Sequence, residues 1–143
     1  MRCAYGTLVL LLLAGCTKQK AETVPPVTSA KPSGMVAVGS EENLSASQAD
    51  ALLKSNPAVQ LIDVRTQSEW DRGYIAGAKL IPVDQIEARQ GEIDKSRPVL
   101  LYCAAGGRSH RALEILKAAG YREVRHLSEG ITGWKSAGLP LAK

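Results

Sequence analysis

A cysteine followed by glycines and an arginine is the part of this sequence best suited to chemistry. Cys103 directly follows an apolar run, and Gly106, Gly107 and Arg108 come shortly after it. Glycines let the backbone curl so that successive N–H groups point toward one centre. Such amides, together with a positive charge, favour a thiolate over a thiol. The pattern therefore predicts a nucleophilic thiolate at Cys103, in a loop that also binds anions.

The remaining residues of this loop fit a substrate pocket. Ala104 and Ala105 are small and leave the mouth of the loop open, and Ser109 begins a predicted helix. A helix N-terminus contributes unpaired N–H groups and the positive end of the helix dipole. We expect Cys103 to be the catalytic residue, and we expect the substrate to bind at Ala104, Ala105, Gly106, Gly107, Arg108 and Ser109.

Predicted strands and helices alternate from about residue 41. Residues 99–102 form a nearly continuous apolar run, which is typical of a strand buried on both faces. Such alternation indicates an α/β fold with a parallel sheet that helices cover on both faces. Ligands bind such sheets at the carboxyl ends of the strands, where Cys103 lies. The other predicted strands cover residues 59–64, 78–81 and 124–127. Two predicted helices begin at capping boxes, at Ser45 and at Thr66. Three more are predicted over residues 83–93, 109–119 and 132–137.

A few other residues have side chains that suit a site. Asp63 and Arg65 end a predicted strand, so they are either accessory residues at the edge of the site or a structural ion pair, which we favour. His110 borders the loop and suggests a Cys–His pair, but a side chain in the first helical turn there tends to point outward. His126 ends a strand and is expected to be structural. No His/Cys cluster has zinc spacing, so no metal is predicted.

The N-terminal part of the chain has the composition of a targeting segment and a linker. Arg2 precedes an apolar run over residues 8–13, which is too short to span a bilayer and indicates a signal peptide over residues 1–15. Residues 16–40 are rich in Pro, Ser, Thr, Ala and Lys and predict a flexible tether. The folded domain is expected over residues 41–143. The net charge of +4 comes from scattered residues, so nucleic-acid binding is not predicted.

The end of the predicted signal resembles a known processing motif. Leu13-Ala14-Gly15-Cys16 is similar to the lipobox of bacterial lipoproteins. That resemblance implies cleavage before Cys16, lipidation of Cys16, and a membrane-anchored protein that faces the periplasm. Thr17 after Cys16 favours the outer over the inner membrane. The alternative is an ordinary cleaved signal with a chance cysteine. Because Cys3 would leave with the signal, Cys103 would be the only free thiol.

Four segments, in order along the chain, resemble signatures of the single-domain rhodanese family. They are Leu61-Ile62-Asp63-Val64-Arg65; Glu69-Trp70 with Gly73-Tyr74-Ile75-Ala76-Gly77-Ala78 and Ile81-Pro82; Val99 to Ser109; and Gly120-Tyr121 with Val124, Leu127 to Gly130 and Trp134. The resemblance covers about residues 42–141. Two positions depart from the family: Tyr74 stands where a histidine is usual, and Glu129-Gly130 replaces a usual pair of glycines.

The resemblance implies a fold and a reaction. The fold would be a five-stranded, mostly parallel sheet with helices on both faces. The reaction would move a sulfane sulfur from thiosulfate or a persulfide onto Cys103, and then from the Cys103 persulfide to cyanide or a thiol. The partners would be a small anionic donor and these acceptors, with no cofactor; a protein partner and the oligomeric state do not follow from it.

Two other functions remain open at this stage. The domain is also compatible with a persulfide carrier or a partner-binding module, because a carrier needs the same reactive thiol. A related loop occurs in phosphatases and arsenate reductases, which place five residues between the cysteine and the arginine. Four residues separate Cys103 from Arg108 here. The shorter loop fits a persulfide sulfur better than a phosphate, so we rank this alternative lower.

Overall fold

The computed structural model describes residues 41–143, so the predicted signal peptide, Cys16 and the tether lie outside the described residues. One sheet in this range contains the strands β1 (Asn43–Leu44), β2 (Gln60–Asp63), β3 (Lys79–Leu80), β4 (Val99–Tyr102) and β5 (Val124–Leu127). Their spatial order is β1-β5-β4-β2-β3, and all neighbouring strands pair in parallel. The predicted α/β fold with a five-stranded parallel sheet is confirmed.

Helices follow each of the five strands, and the first four connect one strand to the next. They are α1 (Ala46–Ser55), α2 (Gln67–Trp70), α3 (Ile86–Arg89) with a 3-10 turn at Gln90–Glu92, α4 (Gly107–Ala118) and α5 (Gly130–Ser136). The capping box that predicts α1 is present, since the Ser45 hydroxyl accepts from the Gln48 amide and the Gln48 side chain accepts from the Ser45 amide. None of the helices within residues 41–143 combines the length and apolar character that crossing a bilayer requires.

The central strand β4 and the cysteine after it contribute side chains to two hydrophobic clusters, one on each face of the sheet. Leu101 and Cys103 pack with buried residues of α3 and α4, such as Ile86 and Leu113. Leu100 and Tyr102 belong to a second cluster that contains buried residues of α1 and α5. Successive side chains of a strand point to opposite faces of the sheet, so this alternation directs the Cys103 side chain toward the face that α4 covers.

Several element boundaries differ from the sequence-based predictions. Strand β1 was not predicted, because two residues carry no periodic signal. The helix predicted over 83–93 is reduced to α3 and the following 3-10 turn, since apolar spacing reports which residues face the core and not whether helical hydrogen bonds continue. Helix α4 begins at Gly107 instead of Ser109, and α5 at Gly130 instead of Thr132. The first residues of α4 therefore belong to the loop that follows Cys103, and the first residues of α5 lie against that loop.

Candidate active site

Cys103 lies at the carboxyl edge of the sheet, directly after β4. Strand β2 ends at Asp63, which is in register with Tyr102, so the two central strands finish side by side. The cysteine side chain is only 1% exposed, whereas Ala104 is half-buried and Ala105 is exposed. Cys103 therefore lies after the central strand, as predicted, and the two small alanines lie on the solvent side of the loop.

Hydrogen-bond donors of the loop surround the sulfur atom. The Gly106 amide donates to Sγ of Cys103 at 3.1 Å. Burial of the thiol opposes its ionisation, but the nearby polar groups of Ser109 and the amides of Ala105 and Gly106 favour the thiolate and outweigh this effect. The pKa of the Cys103 thiol is consequently lowered from its ordinary value of 9.0. Backbone amides are therefore the main stabilisers of a Cys103 thiolate.

Gly106 has a backbone conformation and a neighbour that exclude other residues. Its φ of +96° lies in the left-handed region, where a side chain is disfavoured. A Cβ atom at this position would lie 1.9 Å from the carbonyl oxygen of Ser128, in the loop that precedes α5. By contrast, a Cβ on Gly107 would meet no atom within 4 Å. Gly106 thus lets the loop pass against its neighbour while its amide faces the sulfur.

The start of α5 binds the carbonyl groups of the loop. The Ile131 amide donates to the carbonyl oxygen of Cys103 at 2.8 Å, and the Thr132 amide to that of Ala104 at 3.1 Å. The backbone of Gly130 also approaches Ala104 so closely that a Cβ there would lie 2.4 Å from the Ala104 carbonyl carbon. Helix α5 thus satisfies two carbonyl groups of the loop that contains Cys103.

A chain of polar groups runs from the buried Ser109 and His126 to Asn43, which is exposed. The Ser109 hydroxyl lies 2.9 Å from the carbonyl oxygen of Gly106 and 3.1 Å from Nδ1 of His126, and Nε2 of His126 lies 2.6 Å from Oδ1 of Asn43. Burial, followed by the nearby His110, lowers the pKa of His126. His126 therefore has the structural environment that was expected of it, and it ties the loop to strands β5 and β1.

Arg108 is engaged by a residue that the sequence does not place near it. Its Nη1 and Nη2 donate to Oε2 and Oε1 of Glu69, each at 2.7 Å. The hydrogen bond to Arg108 is the largest cause that lowers the pKa of Glu69, to about 2. In the sequence, Glu69 stands at the third position after Thr66 in the predicted capping box, and spacing cannot pair residues that are 39 positions apart. Its place in the second family signature was the one available signal.

Asp63 and Arg65 form a buried ion pair. Nη2 of Arg65 lies 2.6 Å from Oδ2 of Asp63, and it also donates to the carbonyl oxygen of Gly73 at 2.9 Å. The exposed fractions of Asp63 and Arg65 are 0% and 4%. Nη1 of Arg65 binds the carbonyl oxygen of Glu69 at 3.3 Å. These contacts fit the expected structural ion pair better than an accessory role at the edge of the site. Through its hydrogen bonds to backbone carbonyl groups, Arg65 also supports the segment that carries Glu69.

Two further sequence-based expectations concern His110 and metals. His110 is exposed and faces the ring of His126, with the ring centroids 5.4 Å apart. Its outward position agrees with the expectation that it does not pair with Cys103. Within residues 41–143, no group of three or more His, Cys, Asp or Glu residues is arranged to hold a metal ion.

The fold and the site together define a parallel α/β domain that holds a cysteine with a lowered thiol pKa in a loop lined by backbone amides. Residues 45–137 match the sequence profile of the Rhodanese-like domain family. The chain therefore belongs to the rhodanese-like family. This match excludes the N-terminal segment, where the lipobox-like residues lie.

Similar proteins include named sulfurtransferases. The chain is 41% identical over 83 residues to "Sulfurtransferase" of Allochromatium vinosum, a match that covers 58% of this chain and 78% of that protein. It is 32% identical over 109 residues to "Thiosulfate sulfurtransferase 18" of Arabidopsis thaliana, covering 66% and 79%. Two further curated relatives are matched over only 60% and 21% of their length. Sulfur transfer, in general terms, is thus the activity found among its relatives.

Solved structures agree with the fold. A crystal structure of a rhodanese-like domain protein from Staphylococcus aureus superimposes with a TM-score of 0.63 at 32% sequence identity. The superposition covers 71% of this chain and 99% of that protein. The residues described here therefore contain essentially all of the rhodanese-like fold.

Proposed function

We propose that this domain is a sulfurtransferase in which Cys103 carries the transferred sulfur as a persulfide. The observation that supports the proposal most directly is the Gly106 amide 3.1 Å from Sγ, within a set of donors that lowers the pKa of the thiol. A thiolate is the form of cysteine that attacks sulfur in a sulfur–sulfur bond. The names of two relatives agree with this chemistry.

The reaction consists of two balanced steps. In the first, the Cys103 thiolate attacks the sulfane sulfur of thiosulfate or a persulfide, and the donor's sulfur–sulfur bond breaks with its electron pair leaving on sulfite or a thiolate. In the second, cyanide or an acceptor thiolate takes the outer sulfur and regenerates the Cys103 thiolate. The amides from Ala104 to Ser109 would stabilise the persulfide anion as they stabilise the thiolate. The electrons balance between donor and acceptor, so the chemistry requires no redox cofactor.

Mass spectrometry tests this proposal. After incubation with thiosulfate, the peptide that contains Cys103 should gain about 32 Da, the mass of one sulfur atom. Cyanide should then remove this mass and release thiocyanate. Many turnovers per protein molecule identify an enzyme, whereas a single equivalent identifies a persulfide carrier. No mass gain, together with hydrolysis of an aryl phosphate, would overturn the proposal in favour of the phosphatase alternative.

We also propose that the domain acts at a membrane surface. The support lies in residues 1–40: the apolar run, the lipobox-like Leu13-Ala14-Gly15-Cys16 and the tether composition. Lipidation of Cys16 would anchor the protein on the periplasmic side, at the outer rather than the inner membrane. The tether would allow the domain to extend roughly 25–30 Å from the anchor, by the dimensions of a flexible chain.

A further inference from the structure

We propose that Glu69 controls which sulfur donor the Cys103 site prefers. By neutralising the charge of Arg108, Glu69 favours singly charged persulfides over the dianion thiosulfate. The inference rests on the sulfurtransferase function proposed above. It concerns which donor the site prefers, and it assigns Glu69 a positioning role because that residue acts through Arg108.

The carboxylate of Glu69 is held in place from two sides. Both terminal nitrogens of Arg108 bind it at 2.7 Å. Its Oε2 also accepts from the amide of Thr66 at 3.1 Å and from the Thr66 hydroxyl at 2.9 Å. If Glu69 turned away to free Arg108, it would lose the contacts that cap α2. All of these contacts favour the geometry in which Glu69 pairs with Arg108.

The charged side chains that connect to the loop compensate each other. Arg108 pairs with Glu69, and Arg65, which binds the Glu69 carbonyl group, pairs with Asp63. Since the pKa of Glu69 is about 2, its carboxylate stays ionised throughout the neutral range. Ala104 and Ala105 contribute no charge. An incoming donor thus meets backbone dipoles, and the positive charge of Arg108 is already balanced.

This arrangement affects a dianion more than a monoanion. Coulomb energies scale with the product of the charges, so a compensated arginine forfeits about twice as much attraction toward thiosulfate as toward a persulfide anion. The backbone amides hydrogen-bond the sulfur of either donor. The ratio of kcat/KM for the two donors is therefore the quantity that Glu69 controls.

The test compares thiosulfate with a small alkyl persulfide that carries no other charged group. Glu69→Gln removes the charge but keeps a side chain that suits the third position of a capping box. We expect its kcat/KM for thiosulfate to rise about three- to tenfold, mainly through KM, and its kcat/KM for the alkyl persulfide to rise by about the square root of that factor, roughly two- to threefold. Sodium chloride should lower the thiosulfate kcat/KM of this variant more steeply than that of the wild type, because salt screens the uncovered arginine.

Two control variants separate charge from structure. Glu87→Gln removes the same charge from an exposed position of α3 and should leave the donor ratio unchanged. Glu69→Asp keeps the negative charge while it disturbs the cap, so its donor ratio should stay near that of the wild type. An equal change of the ratio in Glu69→Asp and Glu69→Gln would overturn the proposal and indicate a purely structural role.

The wild-type protein provides a measurement that needs no variant to fold. Its kcat/KM for thiosulfate should depend only weakly on salt; a steep fall would reveal an uncompensated positive charge and overturn the inference. Sulfur transfer by the wild type with an unaltered donor ratio in Glu69→Gln would defeat only the role of Glu69. If the wild type accepts sulfur from neither donor, the proposed function fails first, and this inference fails with it.

Discussion

The backbone of Gly106 passes so close to the carbonyl oxygen of Ser128 that a Cβ atom on Gly106 would lie 1.9 Å from it. The same glycine donates its amide to Sγ of Cys103. One residue thus joins the reactive sulfur to the loop that leads into α5. The donors around the sulfur therefore depend on a close contact between two segments that are separate in the chain.

Gly106→Ala should abolish sulfur transfer and lower the free energy of unfolding by about 2 kcal/mol or more, because it adds a clash to a left-handed backbone. The matched control is Gly91→Ala, in the 3-10 turn after α3, where a Cβ meets no atom within 4 Å and φ lies outside the left-handed region. Chemical denaturation and a thiocyanate assay measure both variants. Equal behaviour of the two variants would contradict the role of the Ser128 contact.

Cys103→Ser should abolish persulfide formation while the protein stays folded. Serine has nearly the same shape, but its hydroxyl remains protonated at neutral pH and is a weak nucleophile without a base. Circular dichroism checks the fold, and mass spectrometry after thiosulfate treatment checks sulfur uptake. Turnover that survives this substitution would place the reactive group elsewhere.

Ser109→Ala should shift the pH profile of thiol alkylation to higher pH. The side chain of Ser109 contributes to the lowered pKa of Cys103, so its removal moves the pKa upward and reduces the thiolate fraction at neutral pH. Alkylation rates measured from about pH 5 to about pH 10, a range that spans the titration of a thiol, give the midpoint directly. The wild-type midpoint is expected below 9.0. Ser96→Ala, at an exposed turn, serves as the control, and a variant midpoint that coincides with the wild type would exclude a contribution from the hydroxyl.

Asp63→Ala should destabilise the protein by about 3 kcal/mol or more, since it leaves the buried charge of Arg65 without its partner. Asp50→Ala removes a carboxylate whose partner Lys54 is largely exposed, and it should cost only about 0.5 kcal/mol or less. Urea unfolding of both variants makes the comparison. Similar small losses would show that the Asp63–Arg65 pair is not a structural support.

Cys16→Ala should release the protein from membranes, because the proposed acyl chains provide its anchor. Fractionation of cells that express the full chain, followed by detection of the domain in soluble and membrane fractions, measures the effect. The control is Cys3→Ala, which alters a residue of the proposed signal and should not change the distribution. Membrane retention of Cys16→Ala would refute lipidation as the anchor.

The central strand, the following helix and the position of Cys103 between them were predictable from contiguous residues. The apolar run of β4 and the glycines after Cys103 are local patterns, and local patterns govern strand burial and backbone curvature. The predicted fold class was correct for the same reason, because alternating strands and helices favour one parallel arrangement. By contrast, β1 was not predicted, and the helix predicted over 83–93 was too long. The spacing of apolar residues indicates neither a two-residue strand nor the point at which helical hydrogen bonds end.

Residue order alone thus identified the α/β class, the Cys103 loop and the residues whose amides surround the sulfur. The partner of Arg108 and the chain from Ser109 through His126 to Asn43 emerged only in the folded protein. The physical reason is that a thiolate-binding loop is built from adjacent backbone amides, which sequence proximity brings together. Ion pairs and chains of polar groups instead join side chains from distant segments, and the packing of α2, β1 and β5 against the loop selects which of them meet.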